Sequence, residues 1–521
     1  MEEEMVCEFS DMKKKMQFDT MIVLVLLMIS LFCVSNTFAA NPKMGGTLRF
    51  GTENDFAGFE VLKSSSRLAI NGSVAANTIM EPLFRMDKGG NLIPVLGLSA
   101  EQSDDGKAWV IKLRRQVKFH DSTPFNADAV VHHWNRLLNP ENKFRGRAAM
   151  GPIDSVTKVD EHTIQFNLNH PWLPFTRVIS DTRGLTNLIP SSTSVDAGNQ
   201  DRAPVGTGPY KLKEWKSGDS FTVVKNSDYW GKVQPYLDTI VFKPMTDSQT
   251  RYASLKSRQV DIIWMDRGNL INKAKADNSL KISFSEDNGA EIFILNTSVA
   301  PLDNVNVRRA LAHAHNQKRQ VEMVYKDSIP VVHHPYGNQC ECTDDGYRGY
   351  NPDKARELLA AYDQPVELDV LHSNSKRGRD IGEITQQLFK EVGVTATPAG
   401  FDFGPVIKKV ISGEYQVSTW RISSRPDQGP ALFLMLHSQS QANFSRYKNP
   451  EMDKLLVAQR METDPERRNA ILCQIARLIN EDAPILYRGG MRSHVISSDK
   501  VEGLTSMKDG IVRLESVWLN E

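Results

Sequence analysis

The sequence of 521 residues has no charge of either sign to spare, with 63 Lys and Arg against 63 Asp and Glu. A chain without net charge carries no global field toward nucleic acid or an acidic membrane, so no nucleic-acid partner is expected. Cysteine is scarce too, at five residues. That is too few for a disulfide scaffold, so the fold must rest on its core. Past residue 40 no apolar run is long enough to cross a bilayer, which predicts a soluble mature chain. Also missing are G-x-S-x-G, G-x-x-x-x-G-K-[ST] and H-E-x-x-H, so no motif supports a secreted hydrolase, and neither an enzyme nor a cofactor is expected.

What is present starts at the N-terminus. Lys13, Lys14 and Lys15 precede the uncharged run Met21 to Val34, and the small residues Ala39 and Ala40 follow. A basic region, a short apolar run and a small-residue site are the parts of a secretory signal peptide, here residues 1–39. Thr37 suits the −3 position for cleavage after Ala39. The acidic stretch Met1 to Asp11 suits no signal peptide, which makes Met12 an alternative start. An N-terminal anchor is the rival reading, although 14 apolar residues are short for a span. Bulky Phe32 before Cys33 argues against a lipid anchor. Processing would leave 60 basic and 57 acidic residues, and the three cysteines Cys340, Cys342 and Cys473. Cys340 and Cys342 are close enough to bridge, but only with strained geometry.

Chain length predicts two or three domains. Trp109 to Arg114 and Thr163 to Leu168 alternate as half-buried strands do, and Val117 and Phe119 continue the first pattern after a turn. Asn126 reads as the cap of a helix whose buried face is Val130, Trp134, Leu137 and Leu138. Phe221 to Val224 and Ile240 to Phe242 read as strands. Asn304 can cap a helix running through Ala310, Leu311, Val321 and Val324, and Asn351-Pro352-Asp353 starts another. Val366 to Leu371, a helix through Ile381, Ile384, Leu388 and Val392, and Val394 to Thr397 form a βαβ unit, with Gly393 stopping the helix. Amphipathic helices cover Met452 to Met461 and Pro465 to Ile479. The class is α/β or α+β with several sheets.

Four blocks, in order, carry a resemblance. The first is Leu98-Ser99-Ala100-Glu101 followed by Asp105-Gly106-Lys107-Ala108-Trp109, Leu113-Arg114, Val117-Lys118-Phe119-His120 and Pro124-Phe125-Asn126-Ala127-Asp128-Ala129-Val130. Next come Pro204-Val205-Gly206-Thr207-Gly208-Pro209-Tyr210 and the stretch from Asn226 to Trp230. The last joins Phe293 to Asn296 with Val307-Arg308-Arg309-Ala310-Leu311. In this order the blocks resemble the family 5 extracellular solute-binding proteins of ABC importers, which take dipeptides, oligopeptides or nickel. Most of these residues also have a plain structural reading: the glycines permit a tight domain crossing, and Asp128 suits the first turn of a helix.

The resemblance implies a periplasmic-binding-protein-like α/β fold, with two hinged lobes and an extra domain inserted in lobe I. Lobe I would take residues 45–85, 206–292 and 490–521, the inserted domain 86–205 and lobe II 293–489. Crossings near Ile292 to Asn296 and Ile485 to Arg492 would form the hinge. It further implies a periplasmic monomer that closes on a small-molecule ligand and presents it to importer permease subunits.

In peptide-binding relatives the stretch from Trp420 resembles Trp-x-x-Asp, whose aspartate pairs with the peptide's amino group. Ser423 stands at that position here, and a hydroxyl cannot neutralise an ammonium; Asp427, four residues on, is the alternative acid. Arg421 and Arg425 flank the departure and read either as a grip on an anionic group or as interdomain salt bridges. Trp420 could stack on ligand or pack in the core. Glu53 and Asn54 follow the first strand, and Arg145 and Arg147 follow the signature helix, both positions that face ligand in relatives. The rival within the class is metal capture. His313 and His315 do not share a helix face, and His333, His334, Cys340 and Cys342 match no closed tetrahedral spacing, so no metal ligand is assigned.

Overall fold

The computed structural model describes residues 41–520 apart from residues 65–69, 88, 233–234, 338–339, 341, 344 and 507–510. The signal-peptide segment lies outside the described residues. Strand β1 (Thr47–Thr52) is followed by an antiparallel sheet of β2 (Gly97–Gln102), β3 (Ala108–Leu113), β4 (Ile153–Asp160) and β5 (Thr163–Leu168), in the order β2-β3-β5-β4. The chain then forms β6 (Tyr210–Lys216), β7 (Ser220–Lys225), β8 (Thr239–Pro244), β9 (Ile262–Met265) and the long β10 (Leu280–Leu295). Next come β11 (Glu367–Ser373), β12 (Thr395–Phe401), β13 (Val417–Ile422) and the long β14 (Ile485–Ser498). These strands and β1 make one ten-stranded sheet, ordered β6-β7-β8-β1-β9-β14-β10-β13-β11-β12.

The two long strands join the two lobes. From Leu280 to Glu286, β10 pairs with β14 residues 498 to 492, and β14 borders β9 on its other side. The register shifts between Glu286 and Ala290; beyond it β10 lies between β13 and the start of β14. Gly289, in the shift, has φ +104° and its absent Cβ would sit 2.4 Å from the Ile422 carbonyl oxygen, so only glycine fits there. Past the shift, β10 alternates faces. Phe293 and Leu295 enter one hydrophobic cluster, Ile292 and Ile294 the other.

Helix α1 (Ala127–Leu138) starts where expected: Asn126 Oδ1 accepts from Ala129 N at 3.2 Å, and Val130, Trp134, Leu137 and Leu138 are buried. Val117 and Phe119 form no strand, because the backbone turns at once into the Lys118–Pro124 bridge. The helix capped by Asn304, α2 (Val305–Ala314), is shorter than the sequence predicts. His315 leaves helical geometry, and Asn316 caps a new turn, so Val321 and Val324 belong to a separate segment. Asn351 caps α3 (Pro352–Ala360), and α4 (Lys376–Lys390) connects the parallel pair β11 and β12. Helices α5 (Gly429–Leu436), α6 (Pro450–Met461) and α7 (Pro465–Asp482) close the second lobe. Among the described residues no helix is long and apolar enough to cross a membrane.

Candidate functional site

Charged residues collect along the seam between the lobes. Parallel pairing of Phe50 with Ile262 and Gly51 with Ile263 sets the C-terminal ends of β1 and β9 side by side. Glu53 and Asp266 follow those ends. Past the register shift, Glu291 on β10 pairs in register with Arg421 on β13. Arg488 lies on β14, and Arg377 in the first turn of α4.

Most of these charges are paired. Asp266 lies 3.2 Å from Arg377 Nε and 3.3 Å from Arg251 Nη2. Glu291 lies 2.8 Å from Arg488 Nη2, whose Nη1 donates to the Tyr325 hydroxyl at 2.7 Å. Burial would raise the Glu291 carboxyl, but the guanidiniums of Arg421, Arg488 and Arg377 hold it below the usual range. Burial works against the Arg377 charge as well, and Asp266, Glu291 and Glu53 together overcome it, lifting its pKa further. Glu53 moves the other way: burial and the Asp266 charge push its carboxyl up, against Arg377, Arg421 and Arg251. A small cavity opens here, lined by Trp264, Asp266, Glu291, Tyr325, Arg377 and Arg421 among others.

Of the residues singled out in the sequence, Arg421 lines this cavity and Glu53 adjoins it in charge contact with Arg421. Trp420, on the opposite face of β13, packs edge-on to Phe444 with ring centres 5.7 Å apart. Ser423 accepts through its carbonyl from Gln428 at 3.0 Å. Arg425 donates to Asp181 Oδ2 at 2.7 Å and to the Arg183 carbonyl at 2.9 Å, so it forms a salt bridge to a segment 244 residues away. Asp427 is held by Arg468. The Asn54 carbonyl accepts from Thr52 Oγ1 at 3.0 Å. Arg145 is exposed, and Arg147 donates to the Leu138 carbonyl at 2.8 Å. Sequence reasoning missed Arg251, Asp266, Glu291, Arg377 and Arg488. Glu291 and Arg488 did leave a signal, since each is a lone charge inside an apolar strand run.

The bridge considered between Cys340 and Cys342 does not form: Cys342 pairs with Cys473 of α7. The helix brings Cys473 alongside, whereas cysteines one residue apart can join only with strain. Cys340 remains a buried free thiol, pushed up to about 11 by burial. Nearby, His333 stacks on Tyr347 with centroids 4.0 Å apart. His315 is buried edge-on to Phe293, while His313 Nδ1 lies 3.2 Å from the Gly349 carbonyl.

Two lobes sharing a sheet through a pair of crossing strands, with a charged cleft at the seam and a further sheet in the first lobe, define a two-lobed solute-binding protein. The chain belongs to the bacterial extracellular solute-binding proteins, family 5, whose middle-region model matches residues 91–444. It is 27% identical over 460 residues to the glutathione-binding protein GsiB of Pectobacterium atrosepticum, covering 86% of this chain and 89% of that one. Heme-binding protein A of Haemophilus influenzae is 28% identical over 459 residues, with 81% and 83% covered. Among solved structures, the periplasmic binding protein DppA of Helicobacter pylori, in complex with the peptide STSA, superposes with a TM-score of 0.83 at 22% identity. That match covers 92% of this chain and 99% of DppA.

Proposed function

We propose that the chain is the periplasmic capture component of an ABC importer. It takes a small peptide-like or carboxylate-bearing organic solute into the interlobe cleft and presents it to the permease subunits. It acts as an exported monomer and performs no chemistry on its guest. The relatives named for glutathione and bound to a peptide support that solute class. Lobe I comprises residues 45–85, 206–292 and 490–521, the inserted domain 86–205 and lobe II 293–489. The partner change of β10 beside Gly289 supports a crossing at that point.

One observation carries the reading. Arg421 lines the cavity, and among the described residues its guanidinium has neither a hydrogen bond nor an ion pair. A planar cation kept half-buried beside a cavity suits a carboxylate arriving from solution. Native mass spectrometry of the purified protein tests this directly. A carboxylate-bearing adduct is expected on the wild type and its loss on Arg421→Ala. Retention of the same adduct by that variant defeats the assignment.

A further inference from the structure

We infer that reduction of the Cys342–Cys473 bond opens a binding site for one Cu(I) ion, held by the sulfurs of Cys340, Cys342 and Cys473. The three share no residue with the lining of the charged cavity, and the site stands independently of the capture reading.

Three sulfurs meet at one point. Cys340 Sγ lies 3.1 Å from Cys342 Sγ and 3.2 Å from Cys473 Sγ, and those two are bonded to each other. A crosslink needs only two cysteines, yet a third thiol touches both of its sulfurs. Cys340 is buried and the other two are half-buried. The segment carrying Cys340 and Cys342 does not depend on the disulfide for its place. The Tyr336 hydroxyl donates to the Leu472 carbonyl at 2.9 Å. Asn480 Nδ2 donates to the His333 carbonyl at 3.0 Å and to the Asp345 carbonyl at 2.7 Å. Both flanks of the segment are thus tied to α7, the helix that carries Cys473. The Cys340 thiol also lies 3.7 Å from the Asn469 carbonyl, one helical turn before Cys473. Breaking the sulfur–sulfur bond therefore leaves three thiols facing one another on a rigid support.

The donor set selects the ion. Thiolates favour soft cations such as Cu(I). Structural zinc asks for a fourth ligand, and among the described residues no further Cys, His, Asp or Glu joins the three. Around a metal about 2.3 Å from each sulfur, three sulfurs stand about 4 Å apart. Cys340 then has to retreat by less than about 1 Å. In the opening step a dithiol gives two electrons and two protons to the Cys342–Cys473 bond and leaves as its own disulfide. Cu(I) replaces the thiol protons, which pass to solvent. The reverse exchange with an oxidised dithiol re-forms the bond, removes two of the three ligands and releases the ion.

Anaerobic titration with Cu(I) against a competing chelator tests this, on protein reduced with a phosphine and then freed of it. The reduced wild type should bind one ion, show sulfur-only coordination by X-ray absorption, and melt at a higher temperature with copper than without. Cys340→Ser keeps the disulfide pair, and after reduction it should bind about a hundredfold more weakly. The oxidised wild type should bind no more tightly than that variant. Circular dichroism of the reduced and substituted proteins controls for folding. Equal affinity of Cys340→Ser and wild type, or of oxidised and reduced wild type, overturns the site. Copper ligated by nitrogen overturns it as well. So does loss of native structure on reduction, because the sulfurs would then be held together only by their bond.

Discussion

Arg468 grips Asp427 with both terminal nitrogens, 2.8 Å to Oδ2 and 2.7 Å to Oδ1, and the two side chains are only 6% and 4% exposed. The Gly429 amide donates to Oδ1 as well, at 2.9 Å. Such a bidentate, dehydrated pair fixes the loop between β13 and α5, the loop that carries Ser423 and Arg425. Removing one partner leaves the other charge buried and alone. Asp427→Asn or Arg468→Met should therefore destabilise the fold by about 3–5 kcal/mol, measured by urea unfolding. A change of a few tenths would mean that water reaches the pair.

The bridge from Arg425 to Asp181 is of another kind. Its side chains are 35% and 14% exposed, so its intrinsic worth is small, about 0.2–1 kcal/mol. Under the proposed domain division it spans the inserted domain and lobe II, as the Arg460 bond to the Ala148 carbonyl also does. Under the same division Arg267 and Asp380 link the two lobes at 2.8 Å. A weak contact made only across a seam biases opening more than folding. Asp181→Asn should leave the melting temperature within about 1 °C and weaken ligand binding about two- to fivefold. Scattering should show a larger radius of gyration for the unliganded variant. If melting falls steeply while the radius stays fixed, the pair serves folding instead.

These two pairs also show where sequence reading stops. Trp109 to Leu113 and the helix after Asn126 were legible because alternation and capping are local and demand no knowledge of the rest of the chain. The family blocks were legible for a related reason, being short and ordered. The cleft was not. Glu53, Arg251, Asp266, Glu291, Arg377, Arg421 and Arg488 come from segments up to 435 positions apart, and a charge reads the same in sequence whether it faces water or a buried partner. Only Arg421 and Glu53 were found, and both through position relative to a family motif. Arg425 was read with two alternatives, a grip on ligand or an interdomain bridge. Deciding between them needed Asp181, which lies 244 residues away.

Four histidines contribute to the response to acid. His120, His133, His315 and His494 are each brought down to about 4, chiefly by burial and further by neighbouring positive charge. In the unfolded chain the same rings titrate near 6.5. Between those values the unfolded state therefore holds more protons than the folded one, and stability must fall as pH falls. The loss begins near 6.5 and is complete below about 4, at up to roughly 1.4 kcal/mol per pH unit for each ring. Urea midpoints at pH 7.5, 6.0 and 5.0 should decline in that order. His133→Gln should flatten the decline by about one proton's worth. A flat profile would show that these rings are charged within the fold.

Cys340, Cys342 and Cys473 permit a sharper comparison, because two single substitutions that each remove one disulfide sulfur should differ. The bond from Cys342 to Cys473 closes a loop with a sequence separation of 131. Losing a crosslink of that span typically costs about 2–5 kcal/mol. Cys473→Ser should show this cost, since Cys340 and Cys342 are one residue apart and pair only with strain. Cys342→Ser should not, because Cys340 Sγ already lies 3.2 Å from Cys473 Sγ and can take the vacated place under oxidising conditions. Peptide mapping without reductant would find Cys342 joined to Cys473 in the wild type and Cys340 joined to Cys473 in Cys342→Ser. In the native wild type, Cys340 should resist alkylation, being buried and held protonated, and should react once urea unfolds the chain. Equal destabilisation by both substitutions would mean that the loop carrying Cys340 cannot follow its sulfur to the new bond.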